Sequence, residues 1–294
     1  NPVLGRGRFG TVKKGKMRDS DDDVAVKEIN FTEDQQDQIA FTAFISEIER
    51  PLCHDNIVKI IQTILHPGTV WVIMELCDFD LDKFFLGYFE AINFAAKISI
   101  MHQVAEGINY LHSKEIIHRD IKPGNILVKI PDKNLPTEFC IKLCDFGCSK
   151  LLNTNLSSIN MSTNVGTPAF NAPEVFGIDG GEIAYRRSID IFAAGLVYLA
   201  VIQAENNKPL IPKVEDNLKP SEIPVHDEIG KIIAMRIRED RTLKVALKAN
   251  TDSPAMCYIK DLINDMTKPY DHDRPTAQQV RDTLIHLKEV QPTF

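Results

Sequence analysis

The stretch Ile117-His118-Arg119-Asp120-Ile121-Lys122-Pro123-Gly124-Asn125, with Asp145-Phe146-Gly147 twenty residues beyond it, constrains this chain more than any other feature. Two short runs of strand character, Ile126 to Val128 and Ile141 to Cys144, lie between the two motifs and are joined by a polar, proline-containing loop. Any fold must therefore accommodate a loop, a strand, a connection, a second strand and another loop. The order sets out a carboxylate base, a phosphate-binding lysine and two metal-binding groups, as phosphoryl transfer to a hydroxyl needs them.

At 294 residues the chain exceeds the usual size of a single core, so two lobes or two domains are expected. Hydrophobic residues at 44% and charged residues at 26% are globular values and supply enough apolar side chain for a sizeable core. The net charge of −7 argues against a sequence-wide surface for nucleic acid or anionic lipid. The longest apolar stretch, Ile189 to Ile202, is too short to span a bilayer and carries Asp190, so it reads as a buried core helix. The six cysteines (Cys53, Cys77, Cys140, Cys144, Cys148 and Cys257) form no CxxC pair, which favours reduced thiols in the cytoplasm or nucleus. Cys140, Cys144 and Cys148 recur every four residues, but 141–144 has strand character, which disfavours a helical zinc cluster. The chain opens at Asn1 and reaches a glycine loop after four residues, which reads as a piece of a longer polypeptide.

The first 75 residues are rich in short β-type segments, among them Val24 to Ile29, Ile57 to Leu65 and Thr69 to Met74. A helix is expected over 39–50, where Ile39, Ala43, Phe44 and Ile48 share a face. Beyond residue 93 the pattern becomes helical: Phe94, Ile98, Met101, Ala105, Ile108 and His112 form one stripe. After Glu174 the chain is mostly helical, with proline-rich connections near Pro209, Pro212, Pro220 and Pro224.

Gly5, Gly7 and Gly10 let a hairpin backbone approach phosphate oxygens without a Cβ in the way. A dinucleotide-binding motif needs a helix to open here, whereas Thr11-Val12-Lys13-Lys14 continues as strand, and a Walker lysine followed by Ser or Thr is missing. In Val24-Ala25-Val26-Lys27 the period of two puts Ala25 and Lys27 on one face. Small Ala25 leaves room for a flat base, and Lys27 reaches phosphates beneath the loop.

These motifs, together with Ala172-Pro173-Glu174, resemble the eukaryotic protein kinases from the first residue nearly to the last. The resemblance implies one α+β, bilobal domain over 1–294. A small β-rich lobe with one main helix (1–76) is followed by a hinge near 75–78 and a larger, mostly α-helical lobe (77–294), with an activation segment over 145–174. It implies ATP and Mg2+ as cofactors and serine or threonine hydroxyls of proteins as acceptors. Asp120 would be the base, Lys122 would neutralise the transferring group, and Asn125 and Asp145 would hold magnesium. Lys27 would hold the α- and β-phosphates, steadied by Glu47. Pro51 falls where that helix normally continues, so the helix end is shortened or distorted and Glu49 is the fallback. The nucleotide would contact Gly5, Gly7, Phe9, Gly10, Val12, Ala25, Met74, Leu127 and the hinge backbone from Glu75 to Cys77.

Arg119, directly before the base, implies regulation by a phosphate on the activation segment. Thr163 matches the usual phosphorylated position, which implies an upstream activating kinase, and Thr167 would bond Asp120 and Lys122 at the substrate site. Lys122 and Gly166-Thr167-Pro168-Ala169-Phe170 resemble the serine/threonine type, and His54-Asp55-Asn56-Ile57-Val58 with Asp145-Phe146-Gly147-Cys148-Ser149 resembles the Mos and kinase-kinase-kinase subgroup. Asp190 should anchor backbone N–H groups of the catalytic loop, and Arg274 should pair with Glu174. The alternative is a nucleotide-binding pseudokinase that serves as a scaffold. Cys144 would lie beside the nucleotide as an inert buried thiol or a reactive one.

Overall fold

A computed structural model of the chain describes residues 2–7, 10–30, 52–145, 150–151, 168–176, 186–210 and 253–290. The expected helix over 39–50, with Glu47 and Glu49, lies outside these residues, as do Phe9, Phe146, Gly147, Cys148, Thr163 and Thr167.

The first part of the chain is an antiparallel five-stranded sheet, formed by β1 (Val3–Gly7), β2 (Gly10–Lys16), β3 (Asp23–Asn30), β4 (Ile60–His66) and β5 (Thr69–Glu75) in the spatial order β1-β2-β3-β5-β4. Alternation fixes its register. Ala25, Lys27 and Ile29 on β3 face Met74, Val72 and Val70 on β5, and Val12 on β2 stands opposite Lys27. Ile29, Val70 and Val72 are buried together on this face, with Ile60 and Met74 packed beside them. At the β1–β2 end, Gly10 has φ 140°, and a Cβ there would lie 2.0 Å from the Glu28 carbonyl oxygen, so only glycine permits this backbone path.

From Glu75 the chain crosses to β6 (Phe79–Asp80) and α1 (Leu81–Tyr88), which starts where the Asp80 side chain accepts from the Lys83 N–H. α2 (Phe94–Ser113) is capped in the same way by Asn93 and buries the stripe that includes Ile98, Met101, Ala105, Ile108 and His112. β7 (Ile116–Ile117), β8 (Ile126–Lys129), β9 (Cys140–Leu143) and β10 (Lys150–Leu151) follow. β6, β8 and β9 form one small sheet, and β7 pairs with β10.

α3 (Ser188–Ile202) runs through the middle of the helical part. Every residue from Ile189 to Val201 is buried, which is why its sequence is apolar all round apart from Asp190. α4 (Pro254–Met266) and α5 (Ala277–Val290) complete the helical part. The Tyr198 hydroxyl donates to the Met101 carbonyl at 2.6 Å and so joins α3 to α2 inside the core. A β-rich part followed by a helical part is the bilobal arrangement expected from the sequence.

The two parts are joined at a second place besides the hinge. Ile57 forms an isolated parallel bridge to Leu143, Val58 N–H donates to the Leu143 carbonyl and Leu143 N–H donates to the Asn56 carbonyl, both at 2.9 Å. This contact explains why β4 begins at Ile60 and not at Ile57: the preceding backbone groups are engaged by β9. The Asn56 side chain adds a bond to the Ile141 carbonyl at 2.8 Å. Among the described residues, no helix is long and apolar enough to cross a membrane.

Candidate active site

The segment from His118 to Asn125 hangs between β7 and β8 and is held from below by α3. Asp190, in the first turn of that helix and 1% exposed, accepts the backbone N–H of His118 and that of Arg119, both at 2.8 Å, and lies 2.9 Å from His112 Nε2. Burial alone would raise the Asp190 carboxyl, but its bond to His112 and the charges and N–H groups around it bring it below the usual carboxylate value. The anchor matters because Arg119 has φ 69°, a left-handed conformation that costs a non-glycine residue about 1–2 kcal/mol. Asp145 has φ 65° and is the second such residue at the site.

His118 ties the two motifs together. Its Nδ1 receives the Asp120 N–H at 3.3 Å, and since a backbone N–H only donates, the ring proton is on Nε2. That Nε2 donates to the carbonyl of Cys144 at 2.9 Å, immediately before Asp145. The Cys144 N–H in turn reaches the Asn125 carbonyl at 3.0 Å. His118 is fully buried, and its hydrogen bonds set the spacing between the two functional loops.

Above this frame the polar side chains converge. Asn125 Nδ2 donates to the Asp120 carbonyl at 2.8 Å and to Asp120 Oδ2 at 2.7 Å, and Lys122 Nζ lies 2.8 Å from the same Oδ2. Lys27 crosses from the sheet to Asp145, with Nζ 2.5 Å from Oδ1. Asp120, Lys122, Asn125, Asp145 and Lys27 are thus brought together from three separate stretches of chain. Ala25, Met74 and Val12 stand on the same sheet face as Lys27. Leu127 is on β8 opposite Lys142, partly exposed, while its neighbours Ile126 and Val128 are buried.

The hinge strand end carries an interaction that the sequence reading did not foresee. Glu75 Oε1 accepts from the Lys59 N–H and from Lys142 Nζ, both at 2.9 Å, and Oε2 accepts from Lys129 Nζ at 3.0 Å. Burial opposes ionisation of Glu75, yet these three bonds hold its carboxyl below the ordinary value. The signal available in the sequence was the period of two that places Leu127, Lys129 and Lys142 on one face of the β8–β9 pair. Cys77 lies beside this cluster, and its thiol is pushed up to about 12, by burial first and by the charge of Glu75 second.

Cys144 resolves toward the inert reading. Cys144 is only partly exposed, and desolvation, reinforced by the Asp145 charge, pushes its thiol far above the usual range, so little thiolate exists at neutral pH. Iodoacetamide at pH 7 is expected to alkylate exposed Cys53 and Cys257 first and leave Cys144 unmodified by peptide mass mapping. Early alkylation of Cys144 would contradict this.

Further from the centre, Arg274 forms a two-pronged ion pair with Glu174, at 2.7 Å and 2.9 Å, as the sequence led one to expect.

A bilobal fold with a lysine reaching from the sheet to a carboxylate below, over a buried aspartate that anchors the loop, defines the protein kinase class. The protein kinase domain family matches residues 1–284, and the chain belongs to that family. It is 31% identical over 237 residues to the probable cyclin-dependent kinase 8 of Dictyostelium discoideum, which is 78% of this chain and 60% of that protein. It is 34% identical over 208 residues to mitogen-activated protein kinase kinase kinase A of the same organism, covering 69% of this chain and 21% of that protein. With the probable serine/threonine-protein kinase zyg-1 of Caenorhabditis briggsae it shares 27% identity over 280 residues, 94% of this chain and 36% of the other. The chain therefore spans 21–60% of the length of these relatives.

Proposed function

We propose that the chain transfers the γ-phosphate of Mg-ATP to serine and threonine hydroxyls of other proteins. The observation that carries this reading is the continuous set of contacts Lys27–Asp145, Cys144–His118–Asp120 and Lys122–Asp120–Asn125. It gathers a carboxylate base, two cations and two oxygen ligands at one place. The serine/threonine acceptor is supported by Lys122, by Gly166-Thr167-Pro168 and by the kinase names of the relatives.

Both Nδ2 hydrogens of Asn125 are directed at Asp120, which leaves Oδ1 to accept, and Asp145 adds a carboxylate. Hard oxygens of this kind fit magnesium, which binds through one or two protein groups plus phosphates. When bound, magnesium would neutralise charge on the phosphate oxygens. Lys27 and the glycine loop would position the nucleotide, with the adenine edge along the backbone of Glu75 and Cys77, Met74 at the back of the pocket and Leu127 beneath. The acceptor oxygen bonds to the γ-phosphorus as the bond to the β,γ-bridging oxygen breaks. Asp120 receives the hydroxyl proton, ADP leaves, and Lys122 offsets charge on the group in transit.

The test is Mg-dependent transfer of labelled γ-phosphate to a generic basic protein, with the modified residues mapped by mass. Label on serine or threonine supports the kinase. Nucleotide binding without transfer, even after phosphorylation of Thr163, supports the scaffold.

The same reading places an activating phosphate on Thr163, received by Arg119 and added by an upstream kinase, in a reducing cytoplasmic or nuclear compartment. Thr163→Ala is expected to show the activity of phosphatase-treated wild type under the transfer assay, and full activity in that variant would remove this regulation.

A further inference from the structure

We infer that Glu75, Lys142 and Lys129 form an ionic clamp across the hinge that sets the affinity for ATP, with Lys142 as its principal positioning residue. The inference rests on the reading of the hinge backbone as the adenine-binding edge.

Three parts of the chain meet at one ammonium. Lys142 Nζ bonds Glu75 Oε1 at 2.9 Å and the carbonyl of Asp55 at 2.9 Å, and Lys142 itself belongs to β9. It therefore holds the hinge, the segment before β4 and the strand that leads into Asp145. Lys129 on β8 bonds the other oxygen of the same carboxylate at 3.0 Å. The carboxylate and Lys142 are 14% and 11% exposed, so their attraction is weakly screened, whereas Lys129 at 44% is the solvated outer member.

The geometry links this clamp to the nucleotide site in particular. Leu127 pairs with Lys142 in the β8–β9 register, and Lys129 pairs with Cys140. In a paired strand these side chains share one face. The hairpin face that carries the proposed adenine floor thus also carries the two lysines that grip the hinge. Floor and edge of the pocket are fixed to each other by Glu75, and a pocket whose walls are held at the bound spacing loses less conformational freedom when the base enters.

The metal end of the site has separate supports. Asp145 is positioned by the His118–Cys144, Cys144–Asn125 and Asn56–Ile141 bonds, none of which uses Lys142. The adenine is remote from the transferred phosphate, so loosening its pocket weakens ground state and transition state alike. That raises KM and leaves kcat in place.

The experiment compares wild type with Lys142→Met, Lys142→Arg and Lys129→Met. It measures KM for ATP and kcat, and by calorimetry the Kd of the imido analogue of ATP with magnesium. Lys142→Met is expected to raise both KM and Kd about tenfold with kcat within about twofold, the scale of an ordinary coupling between sites. Lys129→Met should have a smaller effect in the same direction, and Lys142→Arg should restore most of the affinity because it returns a donor to Glu75. A fall in kcat at unchanged KM and Kd would show a merely structural ion pair and overturn the clamp, as would no change in any constant. If Lys142→Met does not fold, an unchanged Kd in Lys129→Met overturns it. If the wild type transfers no phosphate, the catalytic proposal falls while the Kd comparison still decides the clamp.

Discussion

Asp120→Asn is expected to lower kcat for phosphate transfer by about 10²–10⁴-fold, the usual contribution of a positioned base. The substitution keeps size and shape and removes one property, the capacity to take a proton. Asp120 Oδ2 receives both Asn125 at 2.7 Å and Lys122 at 2.8 Å, and an amide oxygen can still accept at that position. The loop itself does not depend on the carboxylate, because Asp190 holds the backbone of His118 and Arg119 and His118 holds the Asp120 N–H. Folding stability should therefore change little. Nucleotide affinity should also persist, since Lys27, Asp145 and the hinge are untouched. Steady-state kinetics, thermal denaturation and nucleotide titration on the same preparation test all three expectations. A variant that retains kcat within tenfold would mean that the hydroxyl proton leaves by another route, and Asp120 would then be an orienting group only.

The site was legible because its chemistry is written in short, local spacings. Asp120, Lys122 and Asn125 stand within six residues, and strand alternation was enough to place Ala25 and Lys27 on one face. The same holds for the apolar stripe of α2 and the apolar run of α3 that Asp190 interrupts, where the pattern within one element already implies its burial. The parts that were not legible depend on where distant segments meet. Ile57 has the β-propensity of the strand that follows it, but its backbone is claimed by Leu143, and a tertiary contact overrides propensity there. The Glu75 cluster joins residues 54 and 67 positions apart, and no local pattern reports such a distance. Lys27 was expected to meet a carboxylate on the helix over 39–50, which lies outside the described residues, and the partner it meets within them is Asp145.

Arg274→Met should destabilise the fold by about 3–5 kcal/mol, the cost of breaking a buried ion pair from one side. The guanidinium side chain is fully buried and stacks over the Phe192 ring at 4.8 Å. All five of its N–H groups find acceptors. Two go to Glu174, and the others go to the carbonyls of Lys268 at 2.8 Å, Ser188 at 3.2 Å and Pro269 at 3.1 Å. Methionine fills much of the volume but leaves a carboxylate and three carbonyl oxygens without these donors. Arg274→Lys should recover only part of the loss, because a compact ammonium has three donors and cannot present the two-pronged fork. Urea denaturation of the two variants and wild type gives the comparison, with an unchanged slope required for a pure stability effect. The double variant Glu174→Gln, Arg274→Met should be less unstable than the sum of its parts, since the stranded carboxylate is then gone. Because Glu174 belongs to the segment 168–176, which packs through Phe170 and Ala172 into the same buried core as Ile189 and Ile121, the damage should spread from folding to the catalytic loop. A loss below about 1 kcal/mol in Arg274→Met would mean that water enters and satisfies Glu174, and the pair would then be a solvated contact of the kind that contributes little.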